Sequence, residues 1–382
     1  MSNVVYITRT SSFLPLAAVD NDSMESVLGM TGPKPSRTRK ITLRSNGIKL
    51  RHYAIDPKTG EVRYTNAQLT AEAVRGLTDD NFKLNDIACL STGTSIADQL
   101  MPNHGVMVHG ELGNPACEVI STTGICAAGA TALKYAWLAV RSGEFPNAVA
   151  TGSDTGSIVL KSTRYAAETE QQVAELEARP ELAFEKDFLR WMLSDAAGAM
   201  LLQDRPNSSG LSLRIDWIDI TSYANEMPVC MYAGAVKNDD GTLTGWARYT
   251  HEELGRQSVL AVKQDVKILN ANVVEYCLTK PLAKIAKKRG LRAKDIDWFV
   301  PHMSSEFFRQ PMAEGLEKLG LGIPQERWFT NLATRGNSGA ASFFVMLDDL
   351  VRSGRLQPGQ RILGFVPESG RFSSAYLHLT VV

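Results

Sequence analysis

An internally duplicated α/β fold is predicted for this chain, and three observations predict it. The 382 residues run to more than twice an ordinary domain, so two domains or one large duplicated unit are expected. Short apolar runs of strand length alternate with longer amphipathic stretches, the pattern of sheets covered by helices. Most specifically, one segment occurs twice. Gly124-Ile-Cys126-Ala-Ala-Gly-Ala through Val140-Arg141-Ser142-Gly143 overlays Gly336-Asn337-Ser338-Gly-Ala-Ala-Ser through Val351-Arg352-Ser353-Gly354 with one residue of slack. Each copy starts in a small-residue turn, runs as a helix and stops at Arg-Ser-Gly, whose glycine suits a left-handed cap. Upstream, Asn85-Asp86-Ile87-Ala88-Cys89-Leu90 resembles Lys294-Asp295-Ile296-Asp297-Trp298-Phe299 at nearly the same offset. Halves near 1–205 and 206–382 follow.

The elements fall in order along that frame. Glu72–Leu77 reads as helix, Ile87–Leu90 as strand, Thr131–Val140 as helix, Ala148–Ala150 as strand and Gly198–Leu202 as strand. In the second half Glu252–Leu278 reads as largely helical, Asp297–Pro301 as a strand and Arg361–Val366 as another. Residues 155–193 interrupt the first half with charged, helix-rich sequence carrying Phe184, Phe188 and Trp191. They suit either a cap over a pocket or a portion of the core.

Composition narrows the function. Hydrophobic residues make up 44% and charged residues 21%, and 41 Lys+Arg balance 41 Asp+Glu, which fits a globular protein and argues against disorder and against a nucleic-acid partner. The opening residues lack a basic region followed by an apolar stretch, and no run reaches membrane-span length, so a cytoplasmic protein without a membrane partner is expected. Cys89, Cys117, Cys126, Cys230 and Cys277 form no CxxC pair and no metal spacing. A special cysteine is therefore sought as a nucleophile, and no metal is expected.

Cys126 stands between an extended stretch, Cys117-Glu-Val-Ile-Ser-Thr-Thr, and a helix opening in Ala and Gly. A helix N-terminus offers unpaired N–H groups and a positive dipole end, expected to lower a thiol's pKa and to hold an oxyanion. The plain alternative is a buried structural cysteine. The repeat places two further polar groups at matching strand-to-helix turns, His302 in Val300-Pro301-His302 and Asn337 in Gly336-Asn337-Ser338. In a duplicated open α/β fold such strand ends can converge on one site.

These segments, with Leu193-Ser-Asp195-Ala-Ala-Gly-Ala-Met, resemble the thiolase-fold condensing enzymes of the β-ketoacyl-acyl-carrier-protein synthase III type along essentially the whole chain. Asn337 separates this type from relatives with a second His or a second Cys at that place. The runs Asn21-Asp-Ser-Met-Glu, Lys34-Pro-Ser-Arg, Leu43-Arg-Ser-Asn-Gly-Ile-Lys, Met107-Val-His-Gly-Glu-Leu-Gly and Pro367-Glu-Ser-Gly-Arg-Phe resemble more narrowly the subgroup linked to dialkylresorcinols and cyclohexanediones. The resemblance implies a thiolase-like, internally duplicated five-layer αβαβα fold. It implies an acyltransferase (ketosynthase) working in fatty-acid or polyketide biosynthesis, with Cys126 carrying the acyl group and His302 and Asn337 stabilising the enolate for a Claisen condensation. In the subgroup a ring closure would follow. The family's glycine-rich turn appears as Val366-Pro367-Glu368-Ser369-Gly370, so the second oxyanion donor is Ser369 or Gly370.

Partners follow from the same resemblance: thioesters of coenzyme A or of an acyl carrier protein, no further cofactor, and a homodimer in which Leu100 and Met101 gate the neighbouring acyl pocket. Lys34, Arg37, Arg39, Lys40, Arg44, Lys49 and Arg51 form a run of cations without an acid, suited to a phosphopantetheine arm, a diphosphate or an acidic carrier protein. Arg44 and Lys49 are the chosen contacts. Glu111, with His109, is the candidate for proton transfer in ring closure. Two alternatives stay open: transfer of the acyl group to an O or N nucleophile, and a silent ketosynthase-like subunit.

Overall fold

In the computed structural model, which describes residues 3–30, 37–164 and 188–382, nine strands join in one sheet. They are β1 (Tyr6–Phe13), β2 (Cys89–Thr94), β3 (Glu118–Thr123), β4 (Asn147–Asp154), β5 (Ala196–Gln203), β6 (Leu213–Ser222), β7 (Trp298–Pro301), β8 (Arg361–Glu368) and β9 (Ser373–Val381). Their spatial order is β7-β8-β9-β6-β1-β5-β4-β2-β3. Within this sheet the two halves pair, among the described residues, only through Tyr6↔Arg214 and Ile7↔Leu213, so each side of that seam behaves as a sheet of its own.

The pairing pattern repeats across the seam. In the first half β2 is parallel to β4, β4 antiparallel to β5 and β5 antiparallel to β1. In the second half β7 is parallel to β8, β8 antiparallel to β9 and β9 antiparallel to β6. The strand β3, parallel to β2, has a reduced counterpart: a single parallel bridge between Phe299 and Trp328. The chain passes from one half to the other between Gln203 and Leu213.

Helices complete the layers. They are α1 (Arg37–Asn46), α2 (Asn66–Arg75), α3 (His104–Leu112), α4 (Ala128–Ser142), α5 (Val266–Val273), α6 (Lys280–Arg289), α7 (Arg309–Lys318) and α8 (Ser342–Arg352). The repeat seen in sequence is the pair α4 and α8, and each ends beside a left-handed glycine, Gly143 at φ 84° and Gly354 at φ 68°. These two helices lie between the sheets, α2 and α3 cover the first sheet, and a π-helical turn (Val274–Thr279) with α6 and α7 covers the second. The result is α, β, α, β, α.

Strand chemistry explains the layering. Along β5, Met200 and Leu202 enter the central core with Leu133, Phe343 and Leu347, whereas Ala197, Ala199 and Leu201 enter the outer core with Leu69 and Val74. A strand covered on both faces must be apolar at every position, so it reads as a continuous run without alternation. The same division holds on β8, with Ile362 and Val366 facing the centre and Leu363 and Phe365 facing outward.

One expectation needs correction. Glu252–Leu278 is not one helix: a short helix (His251–Arg256) ends, Ser258 takes a positive φ of 43°, Lys263–Gln264 pairs as strand with Met231–Tyr232, and only then does α5 begin at an Asp265 cap. The apolar spacing there is of helical period, but the chain uses Val259, Ala261 and Val262 as buried loop residues. Of the proposed insertion, 165–187, with Phe184, lies outside the described residues. Trp191 is fully buried with Tyr53 and Met24, and Leu189 sits in a small cluster with Val262.

Close approach of the two halves is built on glycine. A Cβ on Gly152 would lie 2.3 Å from the carbonyl oxygen of Ala340, and one on Gly129 would lie 2.4 Å from the same atom. Because the obstacle is backbone at the start of the second repeat, a methyl group there must push the halves apart. Gly152→Ala is expected to cost roughly 1–3 kcal/mol, read as a lower urea midpoint with an unchanged slope.

Candidate active site

Cys126 lies just before α4 and opens on a cavity it shares with Ser95, Ile96, Asp154, Leu189, Met192, Met231, Gln264, Ser304, Asn337 and Ser369. Together with its open mouth the cavity spans about 630 Å³ of atom-free space. The thiol is placed there because β3 delivers the chain to the sheet's carboxyl end, and the Ala-Gly start of α4 leaves no side chain to cover it.

Asn337 enters the same cavity from the second repeat. Its turn is pinned by backbone bonds to the segment before β5: Asn337 N donates to Met192 O at 3.1 Å and Ser194 N to Asn337 O at 2.8 Å. The side-chain oxygen of Asn337 accepts from Gly339 N at 3.0 Å. That bond settles the sense of the carboxamide, leaving Nδ2, which has no acceptor among the described residues, as the group to offer.

Asp154 connects the two halves at this point. Its carboxylate accepts from Ser95 N and Oγ at 2.8 Å each, from Thr94 Oγ1 at 3.1 Å and from Ala340 N at 2.7 Å. Strand ends of the first half are thereby tied to the turn that carries Asn337. Burial raises its pKa, with the four hydrogen bonds opposing. Asp195, immediately before the neighbouring strand β5, accepts from Ala54 N, Ser157 N and Ser157 Oγ, all within the first half; burial pushes it up to about 6.

His302 follows β7, anchored by its N–H to Phe365 O at 2.8 Å. It lines an adjoining apolar cavity with Val274, Leu278, Met303, Ser304, Phe308 and Pro367. The two cavities share Ser304; His302 lines the first and is not among the residues lining the chamber of Cys126 and Asn337. Burial holds its pKa down at about 4. The ring is therefore neutral near pH 7, with no protein partner among the described residues, as a hydrogen-bond donor to substrate requires.

The expectation of an acidic thiol is corrected. Burial, then the carboxylates of Glu368 and Asp154, push the Cys126 thiol up, and its own N–H only partly opposes them. After burial the largest contribution is that of Glu368, a residue to which no role is assigned from sequence. Its Oε2 accepts from Ile125 N at 2.8 Å and Ala127 N at 3.0 Å, the amides on either side of the nucleophile. A carboxylate thus occupies the positive helix end that was expected to serve the sulfur.

Of the remaining candidates, Ser369 lines the cavity and accepts from Gln264 Nε2 at 2.9 Å. Gly370 lies behind the nucleophile turn, where a Cβ would meet Ile125 at 2.7 Å, and its carbonyl accepts from Cys230 N and Met231 N. Arg44 and Lys49 are exposed and do not line the cavity. Elsewhere in the cationic run Arg51 is buried, donating to Asn21 Oδ1 and Trp191 O, and Arg39 pairs with Glu25. Lys34 lies outside the described residues. Glu111 is exposed on α3, and His109 bonds the carbonyls of Asn114 and Pro115; neither reaches the cavity of its own chain. Leu100 and Met101 are 74% and 84% exposed and do not line it either.

Comparison with known proteins now bears on this geometry. Residues 286–370 match the family described as 3-oxoacyl-[acyl-carrier-protein (ACP)] synthase III C terminal. The fold is thiolase-like. Over 369 residues, 95% of each chain, the sequence is 26% identical to a β-ketoacyl-[acyl-carrier-protein] synthase III of Xanthomonas oryzae pv. oryzae. A synthase III of Xanthomonas campestris pv. campestris is 26% identical over 367 residues, again 95% of each chain. Among solved structures, AbyA1, a tetronic acid condensing enzyme, superposes at TM-score 0.75 with 20% identity, covering 98% of this chain and 99% of that one. Xanthomonas campestris OleA with bound lauric acid and lauroyl-CoA superposes at 0.74 with 19% identity and complete coverage, 100% of both chains. Among the described residues, no helix is long and apolar enough to cross a membrane.

Proposed function

We propose that the protein is a ketosynthase that joins an acyl group held on Cys126 to a second thioester by Claisen condensation. The observation that carries this reading is the shared chamber: a thiol from one repeat and an uncommitted carboxamide donor from the other open on one cavity, with a neutral imidazole beside it.

Loading forms the Cys126 S–C bond and breaks the incoming thioester C–S bond, and the thiol proton ends on the departing thiol. A second thioester then presents its carbonyl oxygen to Asn337 Nδ2 and His302. Loss of CO₂, or of an α-proton to water, leaves an enolate whose charge these neutral donors hold. Its carbon attacks the acyl carbonyl, forming the C–C bond and releasing the Cys126 sulfur, to which water returns a proton once the acyl group has left it. Apolar walls from Leu189, Met192, Met231 and Val262 suit an acyl chain.

The finer reading has a β-ketoacyl thioester as second substrate and closure of a cyclohexanedione or resorcinol-type ring. The carriers are coenzyme A or an acyl carrier protein, met by exposed Arg44 and Lys49. The exposure of Leu100 and Met101 supports a homodimer in which they reach the partner's acyl pocket. The test is incubation with octanoyl-CoA and either malonyl-CoA or acetoacetyl-CoA, followed by mass spectrometry of products. A new C–C product supports condensation, and its dependence on extender selects the decarboxylative or the β-ketoacyl route. Acylated protein without a C–C product under either extender, with transfer to added alcohols or amines, would contradict it.

A further inference from the structure

Three consecutive amides form the nucleophile turn, and two of them are committed. Glu368 Oε2 takes the N–H of Ile125 and of Ala127, while Oε1 accepts from Ser373 Oγ at 2.9 Å. No cation pairs with this carboxylate among the described residues. The hairpin register places it there: Glu368 is the last residue of β8 and stands opposite Ser373, the first of β9. We propose that Glu368 is the positioning residue of Cys126: it ties the turn so that the N–H of Cys126 alone remains for the substrate's carbonyl oxygen, and its charge sets the pH at which the thiol ionises.

Asp154 and Cys277 also push the thiol up, but among the described residues only Glu368 bonds the turn amides on either side of it. Asp154, at the end of β4, is buried and spends its acceptors on Thr94, Ser95 and Ala340. Cys277, in the π-helical turn, is buried, its thiol pushed up to about 12, and its Sγ donates to the backbone oxygen of Glu368. His302 is held neutral by burial. A negative charge on the helix N-terminus cancels the dipole that would otherwise favour thiolate. The resting protein then carries a thiol, which resists alkylation and oxidation.

This inference rests on Cys126 being the acylated thiol, but its test needs no thioester. Iodoacetamide alkylation of the Cys126 peptide is followed against pH in the full chain; the thiolate displaces iodide, an S–C bond forms and the thiol proton goes to buffer. Glu368→Gln, which keeps shape and loses charge, is expected to shift the profile down by about one pH unit, giving about tenfold faster alkylation near pH 7. Glu368→Asp, which keeps the charge, is expected to stay within half that shift of wild type. A Glu368→Gln profile superposed on wild type, at unchanged melting temperature, overturns the proposal. So does a Glu368→Asp profile moved down by the full unit, which remains readable if the Gln variant does not fold. Failure of wild type to take an acyl group counts against the ketosynthase reading whatever the alkylation profile, so the two failures are told apart.

Discussion

Asn337→Ala is expected to cut C–C bond formation by about 10²–10³-fold, the usual loss for one oxyanion-type donor, while acylation of Cys126 continues at close to the wild-type rate. The split follows from geometry. Asn337 lines the chamber with its oxygen spent on Gly339 N and its Nδ2 without an acceptor among the described residues, so the residue is expected to serve a charge that develops only after loading. Asn337→Asp is expected to be as damaging, since it replaces the donor by a second acceptor, whereas His302→Ala removes the companion donor and is expected to lose a similar factor. Single-turnover measurements from the pre-acylated protein separate the steps. Equal loss of acylation and condensation in Asn337→Ala would show that the residue holds the turn together rather than serving the enolate.

The second large effect is on acid stability. Burial holds His104 and His302 near pKa 4, and it also lowers His52. In the unfolded chain each takes a proton near 6.5. Between about pH 6.5 and 4 the unfolded state therefore binds more protons, and stability falls as pH falls, levelling below 4. Asp195, raised to about 6 by burial, acts in the opposite sense: the folded state holds a proton between pH 6 and 3.8 that the unfolded state has released. Asp154 adds to that opposition. His104 and His302 against Asp195 leave a net loss on the order of 3 kcal/mol between pH 7.5 and 4.5, with His52 adding to it and Asp154 opposing it. Urea titrations at the two pH values measure it, and His104→Gln is expected to flatten the dependence. A chain equally stable at both values would mean that these imidazoles are charged inside the fold.

Legibility in the sequence tracked how local each signal was. The α4 and α8 repeat could be read because a helix that ends at a left-handed glycine leaves a local mark, and Gly143 and Gly354 carry it. The apolar run of β5 was equally visible, since burial of both faces needs no knowledge of the partners. Cys126 was singled out by its place before an Ala-Gly helix start, and His302 and Asn337 by the duplication, which sets distant turns in correspondence. Glu368 was not found. Its role depends on a hairpin register that carries a carboxylate to amides more than two hundred residues away, and nothing in the spacing of Pro367-Glu368-Ser369 announces it. Asp154 was missed for the same reason, its partner Ala340 lying in the other half. The cationic run misled in a different way. Charge sign is legible, but whether a guanidinium turns inward, as Arg51 does to reach Asn21 and Trp191, depends on packing.

The central claim is that one thiol, Cys126, carries the acyl group, and it is tested most directly by locating that group. The protein is incubated with octanoyl-CoA, digested and mapped by mass spectrometry. The expected result is a single octanoyl mass on the peptide that contains Cys126, absent from Cys126→Ala, with the buried thiols of Cys89, Cys230 and Cys277 unmodified. An octanoyl group on any other residue, or an unmodified Cys126 peptide at saturating thioester, would contradict it.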